Sequence, residues 1–506
     1  MRLILLLFDS LNRRALECYG GTTVRTPNFS RLAERAVTFD RHYVGSMPCM
    51  PARRDLHTGR LNFLHRSWGP LEPFDNSFPV LLGQAGIYSH LVSDHYHYFA
   101  AGGWTYHQRY NSFEFIRGQE ADKWQAMVRP PLERFAERYH PEQLEAGRTG
   151  FRLQNLINRE AIREEQDFPA VQCFARSFEF LDANRREDGW LLQLESFDPH
   201  EPFCAPARFR KDYPTNYGGP ILDWPRYRRV LDRPDEIAEV RANYAALVAM
   251  CDHYLGRLLD YMDEHQLWRD TALILTTDHG FLLAEHDWWG KNRMPFCDEI
   301  AHIPLLVWHP KHTDQAGSRR PALTQTIDLM PTILEIFGQP VPPEARGRSL
   351  MPPLLAGGTP VRESAIHGIF GGATNVTDGR YTYFRYPKDL LAQELFEYTL
   401  MPVHMRGFFE PAEFEGARLV DPFDFTKGLP MLRLPARGDA KRPPTQGGGL
   451  EDAVTVLYDT AADPGQMTPI RAPEVEQRLT LAMLEHMRAH AAPPEAYRRL
   501  DLAPPA

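Results

Sequence analysis

Four short runs constrain this chain more than any other feature: LILLLF (3–8) before Asp9, WLLQLESF (190–197) before Asp198-Pro199-His200, TALILTT (271–277) before Asp278-His279-Gly280, and IPLLVWH (303–309) before Pro310. Each is largely apolar, does not alternate and stops abruptly. A run of that length is the pattern of a strand buried on both faces, as in a parallel sheet covered by helices. Between the runs, the stretch 234–265 places apolar residues at three- and four-residue intervals, the helical period. Strand and helix in alternation predict an α/β fold. In open sheets of that kind, ligands bind beyond the carboxyl ends of the strands, so residues distant in sequence converge there. Asp9, Ser10, Asp198, His200, Asp278 and His279 all occupy that position. Two carboxylates and an imidazole together form a plausible shell for a hard or borderline divalent cation.

Beyond residue 310 the texture changes. RPALTQTIDLMPTILEIFG (320–338) reads as a helix ending at Gly338, and 339–360 as a proline-rich loop holding one short apolar helix. VTDGRYTYFRYP (376–387) carries an Asp-Gly turn between alternating aromatics, a hairpin signal. The segment 403–450 reads as irregular loop, AVTVLYD (453–459) as a strand and 473–491 as an amphipathic helix. The expected organisation is a catalytic α/β domain over 1–370 and a smaller C-terminal α+β subdomain with antiparallel strands over 371–506.

Composition excludes some partners. A net charge of −9 gives no support to nucleic acid or an anionic membrane surface, which call for basic stripes. The N-terminal apolar run meets Asp9 before it reaches the roughly 7–15 residues of a signal-peptide core, and no segment approaches the roughly 18 apolar residues of a membrane span. Six cysteines without repeated spacing do not form a disulfide framework. The expectation is a soluble, cytoplasmic protein, with association into a homo-oligomer left open.

One of those cysteines stands in SMPCMPARR (46–54), between prolines and ahead of two arginines. It lacks the nearby second Cys or His of a zinc motif. Cys49-Met50-Pro51-Ala52-Arg53 resembles the Cys-x-Pro-Ser/Ala-Arg signature of the sulfatases, a branch of the alkaline phosphatase superfamily, and Leu56-His57-Thr58-Gly59-Arg60 resembles its continuation. The likeness runs on in order through FDPHEPF around His200, TTDHG (276–280), Gly290-Lys291, IDLMPTILEIFG, GRSL (347–350) and VLYDTAADP. It implies an alkaline phosphatase-like fold with a large central sheet. It also implies that a separate formylglycine-generating enzyme oxidises Cys49 to formylglycine, an aldehyde. Hydrated beside a metal, the aldehyde supplies a nucleophilic hydroxyl near neutral pH.

Residue by residue, the resemblance makes Asp9, Ser10, Asp278 and His279, with the modified Cys49, the ligands of one divalent ion, calcium or alternatively manganese. Ser10 departs from the acid or amide usual at that place. Arg53 takes the role of the arginine that holds the diol, Lys291 that of a sulfate contact, and His200 that of the acid that protonates the leaving group. In SDHYHYF (93–99), a gap-free count puts Asp94 where sulfatases carry a lysine and Tyr96 where they carry a histidine, with His97 beside them. These three are the expected substrate-binding residues. The implied activity is hydrolysis of a small-molecule sulfate ester. Two alternatives are hydrolysis of phosphonate monoesters or phosphodiesters by the same site, and a non-catalytic binding protein with Cys49 unmodified. The loops 98–170 and 400–450 that would choose the substrate carry no readable pattern, although the aromatic stretch 104–115 could line a pocket.

Overall fold

The computed structural model describes every residue except 146, 148, 293–294, 357–359, 438–451 and 505–506. Six strands lead the main sheet in chain order: β1 (Arg2–Phe8), β2 (Val37–Tyr43), β3 (Tyr88–Ser93), β4 (Ser112–Phe115), β5 (Trp190–Ser196) and β6 (Thr271–Thr277). Strands His302–Trp308 and Arg319–Gln325 complete it. The spatial order is Arg319–Gln325, β2, His302–Trp308, β6, β1, β5, β3, β4. All pairings are parallel except those of His302–Trp308, which runs antiparallel to β2 and β6. An apolar run reports burial on both faces and leaves direction open, so this strand's reversal was not legible in IPLLVWH.

β1 shows why the centre is held so firmly. Leu3, Leu5 and Leu7 enter one core, with Leu56, Leu329 and Ile333, while Ile4, Leu6 and Phe8 enter the other, with Phe29, Leu247 and Leu255. Each such side chain is worth about 1.5–3 kcal/mol when fully buried. The long helix Pro234–Glu264 covers the second face.

Three expectations are corrected. Residues 320–338 are not one helix: Arg319–Gln325 is an edge strand, and the helix is only Leu329–Ile336. The early residues alternate exposed and buried, and Pro321 is tolerated at an edge where no ladder donor is needed. A capping box between Gln325 and Asp328 then starts the helical turn. The segment 403–450 is not wholly irregular, since Arg418–Val420 and Met431–Pro435 pair antiparallel, with Phe396–Thr399 on the other side of the latter. The smaller four-stranded sheet begins at Ala365–Gly368, ahead of the boundary read at 370, and continues through Thr374–Thr377, Tyr381–Arg385 and Val456–Asp459. The helix Pro473–Ala489 lays Leu479, Met483 and Met487 on it.

Candidate active site

Register builds the floor of the site. Phe8 lies opposite Thr277 of β6 and Ser196 of β5, so Asp9, Asp278 and Phe197 leave the sheet at one level. The exits are stapled together: Ser10 N donates to Asp278 Oδ1 (3.1 Å), Leu11 N to Thr277 Oγ1 (3.1 Å), and Thr277 Oγ1 to Phe8 O (2.6 Å). Ser10 turns the chain with φ at 60°.

Cys49 begins the helix Cys49–Thr58, every residue of which is buried. Its Sγ lies 3.3 Å from His279 Nε2. Single ligand atoms of Asp9, Cys49, Asp278 and His279 all fall within 4.8 Å of one another. His279 Nδ1 faces Gly280 O at 3.0 Å, so a proton held there leaves Nε2 free to bind a cation.

One helical turn after Cys49, Arg53 sits among three carboxylates. Its Nη1 donates to Asp278 Oδ2 (2.6 Å) and Cys49 O (3.0 Å), its Nη2 to Asp9 Oδ2 (3.0 Å), and its Nε to Glu195 Oε1 (2.6 Å). Lys291 Nζ donates to the Ser10 hydroxyl (2.8 Å) and lies 3.7 Å from Asp9 Oδ1 and 3.6 Å from Glu201 Oε2. The Ser10 hydroxyl in turn donates to Asp9 Oδ1 (2.7 Å). His200 stacks on Phe197, with ring centroids 4.0 Å apart, and its Nδ1 is 3.3 Å from Glu201 Oε2.

Charge is unevenly shared. Although burial opposes it, Lys291, His200 and Arg53 hold the Asp9 carboxyl well below its usual range. Burial and then Asp9 push Asp278 the other way. A cation between them offsets the cost of ionising Asp278, and with one imidazole and two carboxylates the donor set fits a divalent ion. Burial, followed by Asp9, pushes the Cys49 thiol well up, so the unmodified side chain is a poor source of thiolate.

The structure brings Asp9, Ser10, Cys49, Arg53, His200, Asp278, His279 and Lys291 together. His97 joins Cys49, His200 and Lys291 in the lining of a cavity of about 900 Å³. Two expected substrate contacts do not join them. Asp94 is fully buried below the cavity, where its carboxylate accepts from Phe197 N (2.6 Å) and Gln119 Nε2 (2.9 Å) and ties the end of β3 to that of β5. Tyr96 lines a neighbouring cavity and donates its hydroxyl to Glu120. His95 takes the central place instead, Nδ1 3.6 Å from Asp9 Oδ2, and the chain then turns into the 3-10 helix Tyr96–Phe99. A count along the sequence misses that change of direction. Glu195 was also missed, although a glutamate inside the otherwise apolar WLLQLES of β5 was itself a signal that a buried cation waits opposite. Asp198 lies outside the cavity lining and accepts from Gln119 Nε2 (3.2 Å).

The sulfatase family profile matches residues 2–339, and a second profile, for the C-terminal region of N-sulphoglucosamine sulphohydrolase, matches 284–416. The chain belongs to the sulfatase family of the alkaline phosphatase superfamily. It is a sulfuric ester hydrolase. Among curated relatives, it is 28% identical over 388 residues to the multifunctional alkaline phosphatase superfamily protein PehA of Trinickia caryophylli, covering 67% of this chain and 72% of that one. It is 23% identical over 477 residues to an N-acetylglucosamine-6-O-sulfatase of Bacteroides thetaiotaomicron, covering 81% and 83%. Its fold is shared with the phosphonate monoester hydrolase of Agrobacterium radiobacter, at a TM-score of 0.63 and 19% identity over 97% of this chain and 95% of the other.

Proposed function

We propose that Cys49, converted to formylglycine by a maturation enzyme, is the nucleophile, and that Asp9, Asp278, His279 and the modified Cys49 hold one divalent ion, with the Ser10 oxygen beside them. Calcium is the first choice and manganese the second. The observation that carries this reading is the clustering of the four ligand atoms within 4.8 Å around the head of the Cys49 helix. When bound, the ion supplies acidity to the nucleophilic hydroxyl and charge for the ester oxygens. Arg53 fixes the two aspartates and the first carbonyl of the helix, so the nucleophile is aimed by groups that cannot reorient. Lys291 presents a permanent positive charge to the ester oxygens. His200, which lines the same cavity as Cys49 and Lys291, gives its proton to the departing oxygen.

Six unpaired cysteines support a cytoplasmic protein, and among the described residues no helix is long and apolar enough to cross a membrane. The test is the mass of the peptide containing Cys49 from protein made with the maturation enzyme: thiol-to-aldehyde conversion lowers it by about 18 units, and chelation abolishes turnover of the converted protein. A persistent thiol would sink the covalent mechanism.

The phosphonate and phosphodiester reading has one observation in its favour. The segment 94–97 gives the cavity a histidine, His97, in place of a second lysine. Aryl sulfate is the expected better substrate. A tenfold kcat/KM preference for phenyl phosphonate or a bis-aryl phosphate, about 1.4 kcal/mol in transition-state binding, would reverse the assignment.

A further inference from the structure

We propose that His286, Cys297 and Glu299 form a second metal site, apart from the catalytic cavity, which takes a zinc ion and clamps the turn that leads into Lys291. None of the three residues lines the cavity around Cys49.

Single ligand atoms of these residues, an imidazole nitrogen, a sulfur and a carboxylate oxygen, lie within 4.8 Å of one another. Zinc bonds of about 2.0–2.3 Å in a tetrahedral shell hold donors roughly 3.3–3.8 Å apart, so the three close on an ion by little more than about 1 Å. One pair is already in place, with His286 Nε2 3.3 Å from Glu299 Oε2. A hydrogen bond would explain that pair alone and leaves the sulfur over. Cys297 is 2% exposed, forms no disulfide, and its thiol has no hydrogen-bond partner among the described residues. Its backbone is fixed, because Cys297 O accepts from Ile300 N (2.9 Å) and Ala301 N (3.0 Å). Glu299 is oriented from behind: Arg14 donates to Oε1 and leaves Oε2 turned to the imidazole, the kind of outer contact that aims a ligating carboxylate.

The donor set chooses the ion. A thiolate and an imidazole suit zinc, whereas calcium and magnesium take oxygen ligands. Cys297 releases its thiol proton to solvent as the sulfur–zinc bond forms, with no change of oxidation state. The His286 side chain is 14% exposed and that of Arg14 37%, so water reaches one side of the cluster and supplies the fourth ligand.

Position gives the ion its task. Ala284, His286 and Asp287 have φ of 71°, 54° and 60°, left-handed conformations that non-glycine residues keep only when their surroundings impose them. This turn joins Leu282–Leu283 to Trp289–Gly290, and Lys291 follows directly. One ligand therefore precedes Lys291 and two follow it. Ile300, next to Glu299, accepts from Gly280 N (2.9 Å), which ties the second segment to the residue after His279.

The experiment uses the full chain carrying Cys49→Ala, whose catalytic site holds no sulfur, so its outcome is independent of how Cys49 reacts. Cobalt(II) titrated into the chelated protein gives a thiolate-to-cobalt charge-transfer band in the near ultraviolet at micromolar metal, and zinc displaces it. Adding Cys297→Ser abolishes the band. Adding His286→Ala, at a partly exposed position, weakens cobalt binding tenfold or more and stands in if the serine variant fails to fold. Zinc raises the thermal midpoint of the chelated Cys49→Ala protein, and Cys297→Ser at least halves that rise. No band, a band that needs millimolar cobalt, a band that survives both substitutions, or an equal thermal rise with and without Cys297 overturns the proposal.

Discussion

At the floor of the cavity, Asp9, Asp278 and Glu195 come from three hydrogen-bonded neighbours in one sheet, and Arg53 ties them together from a single buried helix. The wall is assembled differently, from Glu120, Phe151, Arg152, Trp224, Glu397 and Arg406, residues of separate loops, of the start of the helix Phe151–Arg159 and of the small C-terminal sheet. The floor is buried and its three carboxylates share the one guanidinium of Arg53, so removing that group leaves uncompensated charge. The wall is less uniform: Glu120, Arg152, Trp224 and Glu397 are buried, whereas Arg406 is exposed, its guanidinium 4.1 Å from the centre of the Phe151 ring. On the proposed reading, reaction chemistry belongs to the floor and substrate choice to the wall.

Four substitutions sharpen or break that division. Cys49→Ala has the largest effect, a loss of about 10⁴-fold or more in kcat, since the covalent route is removed entirely. Its thermal midpoint stays near the parent's in a melting scan, because only one sulfur is lost at the head of the helix. Arg53→Ala comes next. It strands three buried carboxylates, so urea unfolding should show about 3–5 kcal/mol of lost stability. A mild effect there would mean that Arg53 does not hold the three carboxylates as described.

His200→Ala costs about 10²-fold in kcat/KM for poor leaving groups and much less for nitrophenolate, which leaves without a proton. Burial lowers the His200 pKa from its ordinary 6.5. The acid form is the active one, so the rate with a poor leaving group falls as pH rises through that lowered value, on the acid side of 6.5. The limb should vanish from the pH profile of His200→Ala. Arg406→Ala is the smallest, under about tenfold, seen mainly in KM, with stability within about 0.5 kcal/mol of the parent. A floor-sized loss from this wall residue would break the comparison.

The residues on the floor were legible for physical reasons. A buried strand needs an apolar run, the run ends where the backbone reaches the crevice, and a polar residue there has to serve something; Asp9, Asp278 and His279 follow from that, and Cys49 and Arg53 from a signature one helical turn long. Tyr96 was misplaced because a 3-10 turn rotates side chains by an amount that spacing does not encode, and Asp94 because its carboxylate is held by Phe197 N and Gln119, contacts remote in sequence. The strand Arg319–Gln325 was read as helix because its short alternating half is followed directly by a true helical repeat.

By itself, then, the amino-acid sequence determined the α/β class, the place of Cys49 at the head of a signature and most of the charged residues at the centre, since hydrophobic period and local motif are properties of neighbours along the chain. Only the tertiary structure decided the reversed direction of His302–Trp308, the enclosure of Arg53 by Glu195, and the delivery of Glu120, Trp68 and Glu397 to one cavity. Those depend on contacts between residues hundreds of positions apart, such as Ser67 with Glu397, which are selected by the packing of whole elements and leave no periodic trace in either segment.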